Sequence, residues 1–359
     1  MNIVKRIKQK IFKSVQKTPI NYVLNNDWIE HFKVILSNCD SEYIALCHKD
    51  WKGVTSSSME LFNKIAFIQE VQDSLTLEAI VDIIIKSKVT QFILSGYPQG
   101  WSNVIKAVHI RCPEKIFKVL WHGSIAQHYE DYATKVFLEI LKLNKDGNIK
   151  MIGFVKKSTF ELYKKLGYRV AFVGNSVDIK NIVETSLKAI DFNKIKVGIF
   201  SADVTLRKNT YTNIAAVSFI ENAELTICPS NQHLEMVIEH FNIKYNLYKS
   251  PLPRHELFDL IKKQDIVFYV TFSECAPMLP LEAMELGVIC LMGSNCHYYE
   301  DYPLLKEYLV VTEADNPEMI AKMALRALQN KEKIMVEYRK FSLENRTFSR
   351  KSVETFLLN

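Results

Sequence analysis

Several features are scarce or missing in this 359-residue sequence, and each absence narrows the reading. No stretch approaches the roughly 18 uninterrupted apolar residues that a membrane-spanning helix requires. The N-terminal segment has neither the apolar region nor the cleavage site of a secretory signal, so a cytoplasmic protein is expected. Seven cysteines (Cys39, Cys47, Cys112, Cys228, Cys275, Cys290 and Cys296) form no C-x-x-C pair and no zinc-type spacing with histidine. A reducing compartment suits them. There is no solenoid repeat and no low-complexity tract. The net charge is only +6, with acids and bases interspersed, so nucleic acid is not an expected partner.

What is present describes an ordinary globular chain, 48% hydrophobic and 24% charged, long enough for two domains. Apolar runs at 43–47, 91–95, 116–121, 150–154 and 169–173 read as strands. Between them, 59–69, 77–86, 101–112, 129–143 and 158–166 read as helices. A second series of strands follows at 196–200, 224–228, 244–248, 266–270, 288–292 and 308–311. Such alternation predicts an α/β protein with parallel sheets covered on both faces. A mostly polar stretch over 175–194 separates the two series. The expected divisions are 1–178, 195–335 and a last helix over 336–359.

The first 17 residues carry Lys5, Arg6, Lys8, Lys10, Lys13 and Lys17, with Ile3, Ile7, Ile11 and Val15 recurring every four. That is a basic amphipathic helix, suited to an anionic membrane surface or to packing with a solvated basic face.

The stretch 266–292, IVFYVTFSECAPMLPLEAMELGVICLM, organises the second half. A strand is followed by a small-residue loop, and Pro280 suits the first position of a helix that Gly287 ends. Glu274 falls at the carboxyl end of the strand and Glu282 in the first turn of the helix. That sheet edge is where α/β proteins bind ligands, and the N–H groups of a helix start favour phosphate. Taken singly, the two acids also read as a solvent-facing side chain and as a helix-start acid favoured by the macrodipole.

Taken together, SECAPMLPLEAMELG resembles the Glu-x7-Glu signature of retaining glycosyltransferases of the two-domain GT-B fold, family four of that class. The resemblance implies two Rossmann-like domains facing a cleft, a nucleotide-sugar donor, and a glycan or polyprenol-linked acceptor in surface polysaccharide assembly. It implies that Glu274 faces the donor sugar and that Glu282 holds the ribose hydroxyls. Ala276, Pro277, Met278 and Leu279 would border the donor. Cys275 stands where the family usually has Gly.

Other segments take their roles from the same resemblance. Lys208 matches the Lys that neutralises the leaving diphosphate. The family's earlier Arg is absent, Ser201 or Asp203 standing there, while Arg207 lies beside Lys208. His122, in Leu120-Trp121-His122-Gly123-Ser124, matches a His that contacts the donor sugar. Gly53, in the loop expected over 51–58, lies where the family has a Gly-rich loop near the donor phosphates. The last helix is expected to cross back onto the first domain. No Asp-x-Asp occurs, and neither a metal nor another cofactor is expected, since Lys and Arg with a helix start can carry the charge.

Two rival readings stay open. Trp121-His122-Gly123 also resembles a motif of the polyol-phosphate transferases that make teichoic acids. A catalytically silent GT-B partner is compatible with the absent Arg and the altered glycines.

Overall fold

The strands are short because both of their faces are covered. Ile266–Tyr269, for example, is buried at all four positions, as a strand inside a parallel sheet must be. A computed structural model describes residues 27–179 and 189–359. The basic helix expected over residues 1–17 lies outside them.

β1 (Tyr43–His48), β2 (Ile65–Ile68), β3 (Gln91–Ser95), β4 (Ile116–Trp121), β5 (Met151–Phe154) and β6 (Val170–Phe172) make one sheet. β7 (Lys196–Phe200), β8 (Glu224–Cys228), β9 (Lys244–Leu247), β10 (Ile266–Tyr269), β11 (Ile289–Gly293) and β12 (Val310–Val311) make another. The orders are β2-β1-β3-β4-β5-β6 and β12-β11-β10-β7-β8-β9, and every pairing is parallel. Strand order therefore reverses between β1 and β3 in the first sheet, and between β7 and β10 in the second. The crevice outside the carboxyl ends at such a reversal is where doubly wound sheets take ligands.

The first series of helices is α1 (Asp27–Ser37), α2 (Lys52–Leu61), α3 (Ser74–Lys86), α4 (Trp101–Arg111), α5 (Asp131–Lys145) and α6 (Lys157–Lys165). The second is α7 (Thr210–Val217), α8 (Gln232–His240), α9 (Arg254–Lys262), α10 (Met278–Glu285), α11 (Pro303–Leu309), α12 (Pro317–Gln329) and α13 (Lys331–Leu358). α13 begins at Lys331 and ties the two halves together. Its Tyr338 hydroxyl donates to the Leu281 carbonyl at 3.2 Å, and Ser349 donates to the Gly174 carbonyl at 2.6 Å. At its end Lys118, from the middle of β4, donates to the carbonyls of Phe356 and Leu357 at 2.7 and 2.8 Å. A cation on the last carbonyls complements the helix dipole.

Four local expectations change. The helical pattern read over 59–69 is instead the end of α2 followed by β2. Leu61, Ile65 and Ile68 mimic helical spacing, but Ile65–Ile68 alternates half-buried and buried and pairs with Ala45 to His48. Residues 52–58, expected as a loop, are the opening turns of α2. Tyr308 belongs to α11 rather than to the last strand. α10 starts at Met278, so Pro280 is its third residue and Glu282 lies in the second turn. Proline is tolerated there because the first four N–H groups of a helix have no intrahelical acceptor.

Candidate functional site

Loops after β7 and β10 meet where the second sheet reverses its strand order. The β7 loop carries Asp203, Thr205 and a short 3-10 turn, Leu206–Lys208. The β10 loop runs through Glu274 to α10. Lys208 donates to Glu274 Oε1 at 2.5 Å and to the Tyr269 hydroxyl at 3.0 Å, and Tyr269 donates to the same Oε1 at 3.0 Å. Arg207 approaches that oxygen at 3.6 Å and pairs with Asp203 at 3.1 Å. Burial, and after it the neighbouring Glu274 charge, raises the Tyr269 phenol well above its usual range, so it stays a donor. Asp203 is partly buried, yet hydrogen bonds from Thr205 and the nearby cations hold its carboxyl below the usual value.

The sequence brought Glu274, Lys208 and Arg207 forward as separate candidates, and the fold places all three on one oxygen. Arg207, beside Lys208 in sequence, brings a second cation to the same acid. Glu274 Oε1 takes every one of these contacts. Its Oε2 makes none among the described residues.

Glu282 stands apart from that cluster. Arg254, the first residue of α9, donates through Nε to Glu282 Oε1 at 2.9 Å and through an NH2 group to Glu60 Oε1 of α2 at 2.8 Å. Burial pushes the Glu282 carboxyl up, Arg254 pulls it back down, and the Glu60 charge pushes it up again. Again one oxygen is engaged, and Oε2 makes no contact among the described residues. Sequence reading missed Arg254 and Glu60. Nothing in their spacing signals a pair drawn from opposite domains.

Four consecutive residues of the Glu274 loop are bonded to the first domain. Ser273 donates to Ser124 at 3.0 Å, Lys156 donates to the Glu274 carbonyl at 2.7 Å, and Cys275 donates to the Gly123 carbonyl at 3.1 Å. Asn175 then donates to the Ala276 carbonyl at 2.8 Å. Gly123 has no room for a side chain, because a Cβ there would lie 2.7 Å from the Trp121 ring. Tyr298 holds the Pro277 carbonyl at 3.0 Å. Met278 and Leu279 open α10, and Pro277 at its N-cap supplies no side-chain cap. The free N–H groups of that first turn thus remain available to an anion.

His122 ends at Ser95, whose Oγ lies 2.9 Å from its Nε2 and accepts from Ser58 at 2.8 Å. Burial lowers its pKa to about 4, so the ring is neutral near pH 7. Gly53 sits on the exposed first turn of α2, and a Cβ there would touch nothing. Like His122, it is not drawn into either acidic cluster. Among the described residues no group of three or more His, Cys, Asp or Glu side chains is set to hold a metal. No helix among them is long and apolar enough to cross a membrane.

No protein-family profile and no curated protein sequence matches the chain. Solved structures do match in fold. Anabaena HepE in complex with UDP-glucose superposes with a TM-score of 0.62 at 10% identity, over 88% of this chain and 99% of that one. Trehalose-6-phosphate synthase, in a study of enzymatic glycosyltransfer with retention, gives 0.60 at 8% identity, over 88% and 98%. The N-terminal domain of Candida albicans trehalose-6-phosphate phosphatase gives 0.60 at 11%, over 96% and 94%. The chain has the GT-B architecture, two Rossmann-like domains, each with a parallel six-stranded sheet.

Proposed function

We propose that this protein is a retaining, metal-independent glycosyltransferase that moves a sugar from a nucleotide donor to a glycan or lipid-linked acceptor. The observation that carries it is the pair of half-used carboxylates, Glu274 and Glu282. Each is oriented through Oε1 by a cation and leaves Oε2 for a ligand hydroxyl. Hydroxyls donate strongly to a carboxylate held in that way. HepE, a neighbour in fold, is seen with UDP-glucose, and a uridine donor is the first candidate.

In this reading Glu282 Oε2 takes ribose, and the diphosphate lies against the start of α10 with Lys208 and Arg207 beside it. Glu274 Oε2 and neutral His122 hold the sugar. As the bond from the anomeric carbon to the diphosphate oxygen breaks, charge grows on that oxygen. Lys208 and Arg207 can turn from Glu274 towards it, which stabilises the departing group. The acceptor oxygen bonds the anomeric carbon on the face the diphosphate leaves, and its proton passes to a leaving phosphate oxygen. A cytoplasmic enzyme working at the inner membrane face, in surface polysaccharide assembly, fits the lipid-linked acceptor. The polyol-phosphate reading rests on Trp121-His122-Gly123 alone and gives the two acids, Glu274 and Glu282, no role.

The test is binding and slow hydrolysis across UDP-, GDP-, CDP- and dTDP-sugars, on the native protein and on Glu282→Ala. Saturable binding of one nucleotide class, weakened about tenfold or more in the variant, is expected from the loss of a charge-assisted contact. Binding of CDP-polyols alone, indifferent to Glu282, would transfer the protein to the polyol-phosphate class. Binding with no turnover under any acceptor would make it a silent partner.

A further inference from the structure

The first sheet has its own reversal of strand order, between β1 and β3, and the donor reading leaves it unused. His48 ends β1. Its Nδ1 accepts the Asp50 N–H at 3.2 Å, so the ring proton lies on Nε2, which donates to Glu70 Oε2 at 3.2 Å. The imidazole stacks on Trp51, with centroids 4.8 Å apart and planes 22° apart. Trp51 meets Tyr132 edge-on at 6.4 Å. Gly96, at φ +80°, lets the indole lie over the end of β3, since a Cβ there would fall 2.9 Å from Trp51 Cζ3.

Two relationships place this cluster on the cleft. Lys52, next to Trp51, reaches the Pro251 carbonyl of the second domain at 3.3 Å. Tyr129, three residues before Tyr132, feels the charges of Arg207 and Asp203. Burial first, and then the Glu70 charge, pushes the Tyr132 phenol up to about 12, so acid and phenol share one space. The Glu70 side chain is 33% exposed and Tyr132 is 41% exposed. Glu70 Oε1 and the Trp51 indole N–H have no partner among the described residues.

We propose that His48, Trp51, Glu70 and Tyr132 form a saccharide subsite that takes a neutral pyranose ring of the acceptor, an inference that rests on the glycosyltransferase reading. The exposed Tyr132 ring supplies apolar surface for the C–H face of the sugar. Glu70 Oε1 accepts a hydroxyl and the indole N–H donates to one. His48 is a positioning residue. Its lone pair is already used by Asp50, and its Nε2–H fixes the Glu70 carboxylate.

The probes are methyl glucoside, methyl galactoside and methyl N-acetylglucosaminide, titrated by saturation-transfer NMR against the full chain and against Glu70→Ala and Tyr132→Ala. At least one glycoside is expected to bind in the millimolar range, about tenfold or more weaker in each variant. Nucleotide affinity should change by less than about twofold, since among the described residues neither Glu70 nor Tyr132 is bonded to Glu274, Glu282, Lys208 or Arg207. Absence of glycoside binding by the native chain up to about 100 mM overturns the subsite. Equal binding by both variants does the same, as does tetramethylammonium binding in place of the glycosides, which would make the cluster a cation cage. If no nucleotide or nucleotide-sugar binds the native chain, the donor reading fails instead, and the glycoside titration still decides the subsite.

Discussion

Asn175 of the first domain donates its amide to the carbonyl of Ala276, two residues beyond Glu274, across 2.8 Å of domain interface. The amide is 2% exposed and accepts from Ser57 at 2.7 Å, while its own carbonyl takes Asn345 of α13 at 2.9 Å. One buried residue thus joins α2, α13 and the loop that carries the catalytic candidate, its side chain holding α2 and the loop and its carbonyl holding α13. Substituting Asn175→Ala leaves the Ser57 hydroxyl and the Ala276 carbonyl without it, at a cost of about 1–3 kcal/mol. Thermal unfolding should register that loss. Nucleotide affinity, which the proposed mechanism builds from the second domain, should hold while kcat falls. A fall in affinity with kcat intact would show that the loop is not set from the first domain.

Arg254 offers a pH readout. Burial raises Glu282, and Arg254 lowers it. A ribose contact needs the ionised carboxylate, so nucleotide affinity should fall as pH drops through the Glu282 pKa. In Arg254→Met the opposing charge is gone, the pKa rises further, and that acid limb should move to higher pH. Affinity measured from pH 4 to 8 checks it. An unmoved limb would mean that Glu282 does not meet the nucleotide.

Much of the second half was legible in the sequence because its signals are local. β7 and β8 coincide with their apolar runs, and Glu274 lies in the loop after the run that becomes β10, whereas Lys208 came forward through the family resemblance. The partners that orient them were not legible. Asn175 and Ala276 are 101 residues apart, Lys156 and Glu274 118, Arg254 and Glu60 194. Each pair is made by the facing of two domains, and no periodicity within either domain encodes that. β2 was hidden for another reason. An edge strand of four residues with one half-buried face can share the spacing of a helix turn.

His122 and His297 should shape acid stability. Burial lowers each to about 4 from the ordinary 6.5. A depressed folded pKa gives stability that is present above the unfolded value and lost as pH falls towards the folded one. Between pH 6.5 and about 4 the unfolded chain binds these two protons and the folded one does not. Each ring can then remove up to about 1.4 kcal/mol per pH unit. Denaturant unfolding at pH 7, 6 and 5 should show the decline, reduced by about half its histidine share in His297→Gln. A flat profile would mean that the rings are charged in the folded state.

Lys208 and Glu274 test whether the buried cluster serves stability or chemistry. Their side chains are 7% and 10% exposed. Lys208→Met alone leaves Glu274 buried with Arg207 at 3.6 Å as its remaining cation. The loss should fall at the lower end of about 3–5 kcal/mol, the cost of breaking a buried pair by removing one partner. Adding Glu274→Gln removes the stranded charge, and most of the stability should return, a coupling that a double-mutant cycle measures. Turnover should not return. In the proposed mechanism Lys208 meets the developing phosphate charge, and losing one such contact costs about a hundredfold or more in kcat. Recovery of turnover together with stability in the double variant would assign the pair to folding alone, and another group would have to stabilise the leaving diphosphate.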